Sequence, residues 1–520
     1  MILLGDIMKK TNRLEKTGKN ITTNVVIYII QSILAFIIRL VFIKKIGAEL
    51  LGLNNVLINT VTMLAMLECG FSTVISYKLY KPLAQNNIKK INAYMSFYKK
   101  IYYKIGFIVL IVGIIISFFL KKFIGDYSYK YLYLIYFLYL FNSVSLYFLS
   151  YKEVLLIADQ KNYKLFKFNC LFTILIYVLQ FVMLLIFPTN ILYLLILVIC
   201  KLINRIVNNF YVTKYYKEID FNSNNKLNKN EINDIKSNIK GIFCFKVGEY
   251  VVNCTTSIII SYLINMIYVF IYSSYMTVLN MISTIIKKIY ASITASFGNL
   301  SVGKDKDSEL RVFEIMYFLC FLICGYITIC LLNVFNIFIE LWIGKEYVLS
   351  TISVLIICFN FYLITNQFPL DTIKEAKSFY KKDKFIPIIL AVLNVILSLV
   401  LGKVLGFNGI MISTAISYLL TIFWNKPFII YKYVFNVSSL KYFKDQIKFI
   451  LSLIIIYFTT YFLLHYINLN VSIISFVISG LISSLVYIIM IYIFYSKRKE
   501  FKYIWLVFKN VILKILKKRY

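Results

Sequence analysis

Two charged side chains stand in sequence that is otherwise apolar: Arg39 in "IYIIQSILAFIIRLVFI" (27–43) and Glu68 in "MLAMLECGFSTVISY" (63–77). Ionised groups in hydrocarbon cost several kcal/mol unless they face a partner or water, so each marks a site until shown otherwise. A guanidinium there can bind an anion such as a phosphate through charge-assisted hydrogen bonds. On a helix turning about 100° per residue, Asn24, Tyr28, Gln31, Ser32 and Arg39 share one arc. Glu68 shares a face with Ser72 and Ser76, and Gly70 between them lets the helix deform or another backbone approach. In "KVGEYVVNCTTS" (246–257) Lys246, Glu249, Asn253, Thr256 and Ser257 again fit one arc, and Ser273, Thr277, Asn280 and Thr284 form a stripe further on. Together these polar faces can line a water-accessible cavity. Each face has a plainer reading. A charge near a helix end can snorkel or staple two helices, and Ser/Thr stripes also mediate helix packing.

Such side chains need helices that cross a membrane, and the composition supplies them. The chain has 520 residues, 60% hydrophobic and only 15% charged, with a mean hydropathy of +0.78, outside the range of a soluble globular domain. A span takes roughly 20 mainly apolar residues. The pattern predicts an all-α polytopic membrane protein with about 14 spans, at 21–43, 53–77, 105–120, 131–151, 168–187, 190–212, 242–264, 267–286, 312–333, 348–369, 385–401, 408–425, 449–465 and 471–495. With the N-terminus cytoplasmic, 49 of the 57 Lys and Arg residues fall on the cytoplasmic side, 7 on the outer side, and only Arg39 within a span. That is the positive-inside asymmetry, and it puts both termini in the cytoplasm. The net charge of +34 thus implies no nucleic-acid partner.

The longest polar break, 214–240, reads as a cytoplasmic linker between an N-terminal six-helix lobe (1–213) and a second lobe (241–435), followed by two additional spans (436–495) and a basic tail (496–520). In the tail, "KRKEFKYIWLVFKNVILKILKKRY" repeats apolar residues at helical spacing among lysines, as in a helix lying on anionic lipid. "KLYKPLAQNNIKKINAYMSFYKK" (78–100) reads as a second interfacial segment. The opening "MILLGDIMKK" is too short and weakly apolar for a signal peptide.

Catalytic chemistry finds little support. Nine cysteines are scattered without CxxC pairs, and the one histidine, His465, has no metal-ligand spacing to them. No GxxxxGK[ST] phosphate loop is present, and the "DKD" at 305–307 sits in a short charged loop. No catalytic residue, metal or cofactor is expected, and transport fits better than catalysis.

Several stretches resemble the bacterial oligosaccharide flippases of the multidrug/oligosaccharidyl-lipid/polysaccharide exporter superfamily: "RLVFIKKIGAELLGLNNV" (39–56), "LECGFSTVISYKLYKPLAQNNIKKINAY" (67–94), "ASFGNL" (295–300), "IELWIGKEYVLS" (339–350) and "FNGIMISTAIS" (407–417). The resemblance implies two six-helix lobes in a V around a central cavity, plus two C-terminal helices. It further implies a polyprenyl-pyrophosphate-linked oligosaccharide turned across the bacterial cytoplasmic membrane by alternating access, for capsule, O-antigen or similar polysaccharide. Membrane lipids, a polymerase and glycosyltransferases are the implied partners, and a proton gradient, sodium gradient or membrane potential the implied drive. Where many relatives carry an acidic residue after "VVN", this chain has "CTTS", which leaves Glu68 and Glu249 as the coupling carboxylates. Two alternatives stay open: an integral-membrane polysaccharide polymerase, disfavoured by the short outer loops, and a drug/cation antiporter of the same superfamily.

Overall fold

The computed structural model describes residues 11–68, 70–124, 127–300, 306–377, 385–467 and 470–517, with side chains over the same ranges apart from 11–26, 240–242, 245, 249, 291–300 and 510–517. The chain forms two compact units, 1–239 and 240–520.

Unit 1 contains α1 (Thr11–Lys45), α2 (Ala48–Leu64), a 3-10 turn (Ala65–Glu68), α3 (Phe71–Ala84), α4 (Ile88–Ser117), the short α5 (Leu120–Phe123), α6 (Leu132–Leu149), α7 (Glu153–Ala158), α8 (Tyr163–Ile186) and α9 (Asn190–Tyr215). It also holds the first turns of α10 (Lys229–Leu263). Unit 2 contains the rest of α10, then α11 (Met266–Leu300), α12 (Lys306–Ile343), α13 (Thr351–Thr365), α14 (Phe368–Ala376), α15 (Ile386–Leu420), α16 (Ile422–Ile430), α17 (Leu440–Ile467), α18 (Ile473–Tyr495) and the tail helix α19 (Lys499–Lys517). No strand occurs among the described residues.

Twelve stretches among the described residues are long and apolar enough to cross a membrane. One of them, Ile386–Phe435, covers two expected spans, and α10 supplies the span expected at 242–264, so each of the fourteen falls on helix. The outward faces agree with a lipid surround. Along α8 the residues Leu171, Ile174, Leu175, Val178, Leu179, Val182, Leu185 and Ile186 are all exposed, a contiguous apolar surface that a water-soluble monomer does not carry.

Two glycines set where helices break. Gly70 adopts φ 94° and ends the 3-10 turn that carries Glu68, a left-handed conformation open to glycine at little steric cost. Gly406 at φ 59°, ψ −138° kinks α15, between the spans expected at 385–401 and 408–425.

Unit 2 encloses its last two spans instead of leaving them apart. Phe449 of α17 stacks on Phe321 of α12 with ring centroids 3.9 Å apart, and Asn333 Nδ2 of α12 donates to Thr460 Oγ1 on α17 and Ser483 Oγ on α18, each at 3.0 Å. An amide satisfied by both partners specifies their register as apolar packing alone would not.

The segment expected to lie on the surface at 78–100 does not do so. α4 runs unbroken from Ile88, and Ile91, Ala93, Tyr94, Met95 and Tyr98 are buried in the bundle. The stretch read as a linker is likewise structured. The backbone N–H of Asp220 donates to Asn92 Oδ1 at 3.1 Å, Lys90 pairs with Glu231 at 2.5 Å, Lys78 pairs with Asp234, and α10 begins at Lys229. Polar composition alone could not reveal these pairings, because the partners lie more than a hundred positions away in sequence.

Candidate functional site

In unit 1, α1 presents Arg39 with its Nε buried. The guanidinium lies within electrostatic reach of Tyr193 on α9, Tyr193 of Tyr177 on α8 and of Tyr139 on α6, and Tyr177 of Tyr28 on α1. Phe42, one turn beyond Arg39, packs edge-on against the Tyr193 ring at 4.9 Å. Tyr193 is thus the phenol beside the cation, and phenols from α1, α6 and α8 lead on from it. Of the expected α1 stripe, Tyr28, Gln31 and Ser32 are partly buried, and Ser32 Oγ donates to the Tyr28 carbonyl at 2.8 Å. The side chains of Asn24 and Glu249 lie outside the described residues.

Glu68 closes the 3-10 turn and is half-buried. The Tyr102 hydroxyl of α4 donates to its Oε1, and the Tyr98 ring packs one turn away with ring centroids 4.3 Å apart. The continuous face expected for Glu68, Ser72 and Ser76 is interrupted at Gly70, because the backbone reverses handedness there. Glu68 still meets α4 across that break, through Tyr102.

A polar stripe on α9 has no counterpart in the sequence reading. Lys201 and Arg205 lie along this apolar helix, not in the loop beyond it, so Arg39 is not alone among intramembrane cations. Arg205 Nη1 donates to the Asn142 carbonyl and Ser145 Oγ of α6, both at 2.5 Å. Asn204 and Asn208 both donate to Asn169 Oδ1 of α8, at 2.9 and 3.0 Å. Asn208 also reaches Glu153 Oε1 at 3.2 Å. Burial pushes the Glu153 carboxyl above the usual carboxylate range, while Asn208, Ser150 and Arg205 oppose the shift. The signal was present as the i, i+3, i+4, i+7 spacing of Lys201, Asn204, Arg205 and Asn208, but counting the cations with the following loop hid it.

Unit 2 treats its expected residues unequally. Thr256 is buried and its hydroxyl donates to the Val252 carbonyl of its own helix at 3.0 Å, and Ser257 and Ser273 are buried, whereas Asn253 and Asn280 are exposed. Ser273 and Thr277 hydroxyls donate to carbonyls of their own helix, at 2.9 and 2.6 Å, the back-bonding that satisfies hydroxyls in apolar helices. Lys246 is half-buried and within electrostatic reach of Glu375 on α14, together with Lys287 and Lys426. Next to them Lys426 Nζ of α16 pairs with Asp371 Oδ1 of α14 at 2.6 Å, and Lys377 pairs with Glu309 at 3.0 Å. These acidic residues were not singled out from sequence, since they follow a proline in a segment that reads as a loop approach.

No group of three or more His, Cys, Asp or Glu side chains able to hold a metal ion occurs among the described residues. Eight described cysteines are free thiols, seven of them buried.

No family model and no curated protein sequence matches the chain. Solved structures do. The lipid II flippase MurJ, in an inward closed conformation, is similar over 91% of this chain and 98% of its own, with a TM-score of 0.66 at 15% identity. An inward-facing multidrug resistance MATE transporter of the MOP superfamily aligns over 76% of this chain and 95% of its own, at TM-score 0.56 and 11% identity. A MATE transporter from Vibrio cholerae aligns over 80% and 96%, at 0.54 and 13%. The chain is a multi-pass membrane protein with the fold shared by the lipid II flippase MurJ and the transporters of the MOP superfamily.

Proposed function

We propose that the protein is a flippase that turns polyprenyl-pyrophosphate-linked oligosaccharide repeat units across the bacterial cytoplasmic membrane by alternating access, in the assembly of capsule, O-antigen or a similar surface polysaccharide. The observation that carries this reading is Arg39, a guanidinium within an apolar span beside the Tyr193 phenol. A pyrophosphate suits the cation through charge-assisted hydrogen bonds, and tyrosines offer sugars both a hydroxyl partner and an apolar face. The intramembrane charges of unit 1 point the same way: the cations Arg39, Lys201 and Arg205 outnumber the carboxylates Glu49 and Glu68 in its spans. The flippase similarity also covers 91% of this chain against 76% for the first MATE transporter.

Asn24, Tyr28, Gln31, Ser32, Lys246, Asn253, Thr256, Ser273, Thr277 and Asn280 are the further substrate-contacting residues of this proposal, with Glu68 and Glu249 as ion-coupling carboxylates. Both termini are cytoplasmic, no cofactor is used, and a polymerase and glycosyltransferases act on the same lipid-linked unit. The MATE similarity favours one second reading, export of organic cations, in which the carboxylates and not Arg39 would govern binding.

The test is the leaflet position of lipid-linked oligosaccharide in cells lacking the protein, read with an impermeant sugar-labelling reagent. Complete units facing the cytoplasm, restored to export by wild type but not by Arg39→Ala, are expected. Unpolymerised units on the outer face would replace this reading with a polymerase. Normal export together with sensitivity to cationic drugs would replace it with the antiporter.

A further inference from the structure

Lys201 stands at the middle of an apolar span. It is eleven residues from either end of the stretch expected at 190–212, about 16 Å at 1.5 Å per residue, beyond the reach of a lysine that snorkels to headgroups. Nor does it face lipid. The exposed apolar side chains of α9 in this region are Ile199, Ile203, Ile206 and Phe210, and at about 100° per residue they lie opposite the face shared by Lys201, Asn204, Arg205 and Asn208. Lys201, Asn204 and Arg205 are nevertheless partly exposed, so they border open space away from the lipid.

Two unmet demands coincide on this face. Lys201 and Arg205 are cations one turn apart, a repulsive arrangement on a helix. Among the described residues neither belongs to an ion pair. Arg205 Nη1 is held by two neutral oxygens, the Asn142 carbonyl and Ser145 Oγ of α6, and Glu153 is the carboxyl within its electrostatic reach. One carboxyl against two embedded cations leaves positive charge for an anion to balance. The second demand is for donors. The amide nitrogens of Asn204 and Asn208 are committed to Asn169 Oδ1, and that of Asn208 also to Glu153, which fixes their side-chain oxygens as acceptors. Those two oxygens and Asn142 Oδ1 are buried without a hydrogen-bond partner among the described residues, and a buried acceptor left unmade carries its full desolvation cost.

A pyrophosphate answers only the first demand, since its oxygens accept. A sugar acid answers both: its carboxylate meets the cations through charge-assisted hydrogen bonds, and its ring hydroxyls donate to amide oxygens. We propose that Lys201, Arg205, Asn142, Asn204 and Asn208 form a subsite for an acidic sugar, a uronic acid or similar carboxylated pyranose, of the transported oligosaccharide. Lys201 and Arg205 bind the carboxylate, and the three asparagines take hydroxyls. The subsite is separate from Arg39, because Lys201 follows Tyr193 by two turns of α9, about 12 Å along the helix. This rests on the transport reading and narrows its cargo to acidic repeat units. Binding of a free sugar acid is measured without transport, so a failed leaflet assay leaves the binding result to stand, and failed binding leaves a flippase of neutral units.

The experiment uses the full chain in detergent, with glucuronate and glucose as probes, inorganic pyrophosphate as competitor, and saturation-transfer NMR as the readout. Wild type should bind glucuronate about tenfold more tightly than glucose, the scale of one charge-assisted hydrogen bond, and Lys201→Gln should erase that preference. Asn142→Leu should weaken both sugars alike, because it removes an acceptor and keeps the backbone carbonyl that holds Arg205. Thermal unfolding checks that each variant folds. Glucuronamide, which keeps the hydroxyls and lacks the charge, should bind wild type no better than glucose, a comparison that needs no variant. Equal binding of glucuronate and glucose by wild type, or a preference that survives Lys201→Gln and is lost in Arg39→Ala, would overturn the subsite. Pyrophosphate that outcompetes glucuronate would also overturn it, assigning the two cations to the lipid carrier.

Discussion

Lys426 and Asp371 form a mostly buried pair, the ammonium side chain 9% and the carboxylate side chain 32% exposed. Removing one member of a fully buried pair costs about 3–5 kcal/mol, because the other is left uncompensated. The solvent contact of Asp371 reduces this, and Lys426→Met should cost about 2 kcal/mol. The double variant with Asp371→Asn should recover part of the loss, as measured by thermal unfolding in detergent, whereas strictly additive losses would mean that the pair is not coupled. Glu153 yields a prediction in pH. Its folded carboxyl is raised above the unfolded value by burial, so the folded state binds the extra proton. Stability attributable to this group is therefore full at pH below the unfolded carboxylate range, and it falls as pH rises through the raised folded value. Glu153→Gln should flatten that decline in a pH series of unfolding midpoints. An unchanged slope would assign it to other groups. Both sites were hidden in sequence for one reason: Asp371 and Lys426 are 55 positions apart, as are Glu153 and Asn208, and pairing across such distances has no periodic signature.

Helices carried the most legible information, and their interruptions the least. Every expected span falls on helix because a run of apolar residues in hydrocarbon must satisfy its backbone internally. Gly70 was legible as a point of deformation, yet the conversion of the preceding turn to 3-10 geometry was not, since it depends on how Glu68 meets Tyr102. Gly406 lies between two expected spans, and its φ of 59° with ψ −138° is a conformation that a Cβ disfavours. Gly406→Ala and Gly70→Ala should each destabilise by about 1–3 kcal/mol through backbone strain. Ala at Gly480, which is helical and has no atom within 4 Å of a built Cβ, should instead be neutral or stabilise by up to about 1 kcal/mol. Equal effects at all three sites would refute the assignment of strain. The tail helix α19 follows the last span by three residues, and Arg498 between them bonds to both carboxylate oxygens of Asp445, at 3.2 and 2.7 Å, so the start of the basic helix is fixed to α17.

For the molecule as a whole, charge placement predicts orientation. With most of its 57 cationic residues on one side even when Lys201 and Arg205 are placed within α9, the chain should insert with both termini in the cytoplasm. Tags at either end should be shielded from an impermeant reagent in intact cells and exposed after permeabilisation. Labelling of either tag in intact cells would require an odd number of spans or an inverted topology. The two units differ in the charge they embed. Unit 1 places Arg39 beside the Tyr193 phenol, while unit 2 gathers Asp371 and Glu375 with Lys246, Lys287 and Lys426, and the transport proposal draws its anion site from the first.

The amino-acid sequence by itself determined the all-α, multi-pass membrane class and the approximate number of helices, and it drew attention to two charges, Arg39 and Glu68, because these follow from hydropathy, periodicity and the cost of burying charge. Only the tertiary structure decided what meets them. Tyr193, beside Arg39, belongs to a helix that reads as apolar, and a tyrosine in such a helix is indistinguishable in sequence from one anchoring at the membrane surface. Which hydroxyl faces a guanidinium or a carboxylate is set by helix rotation and packing against neighbours, and one chain written in a line does not encode those contacts in any local pattern.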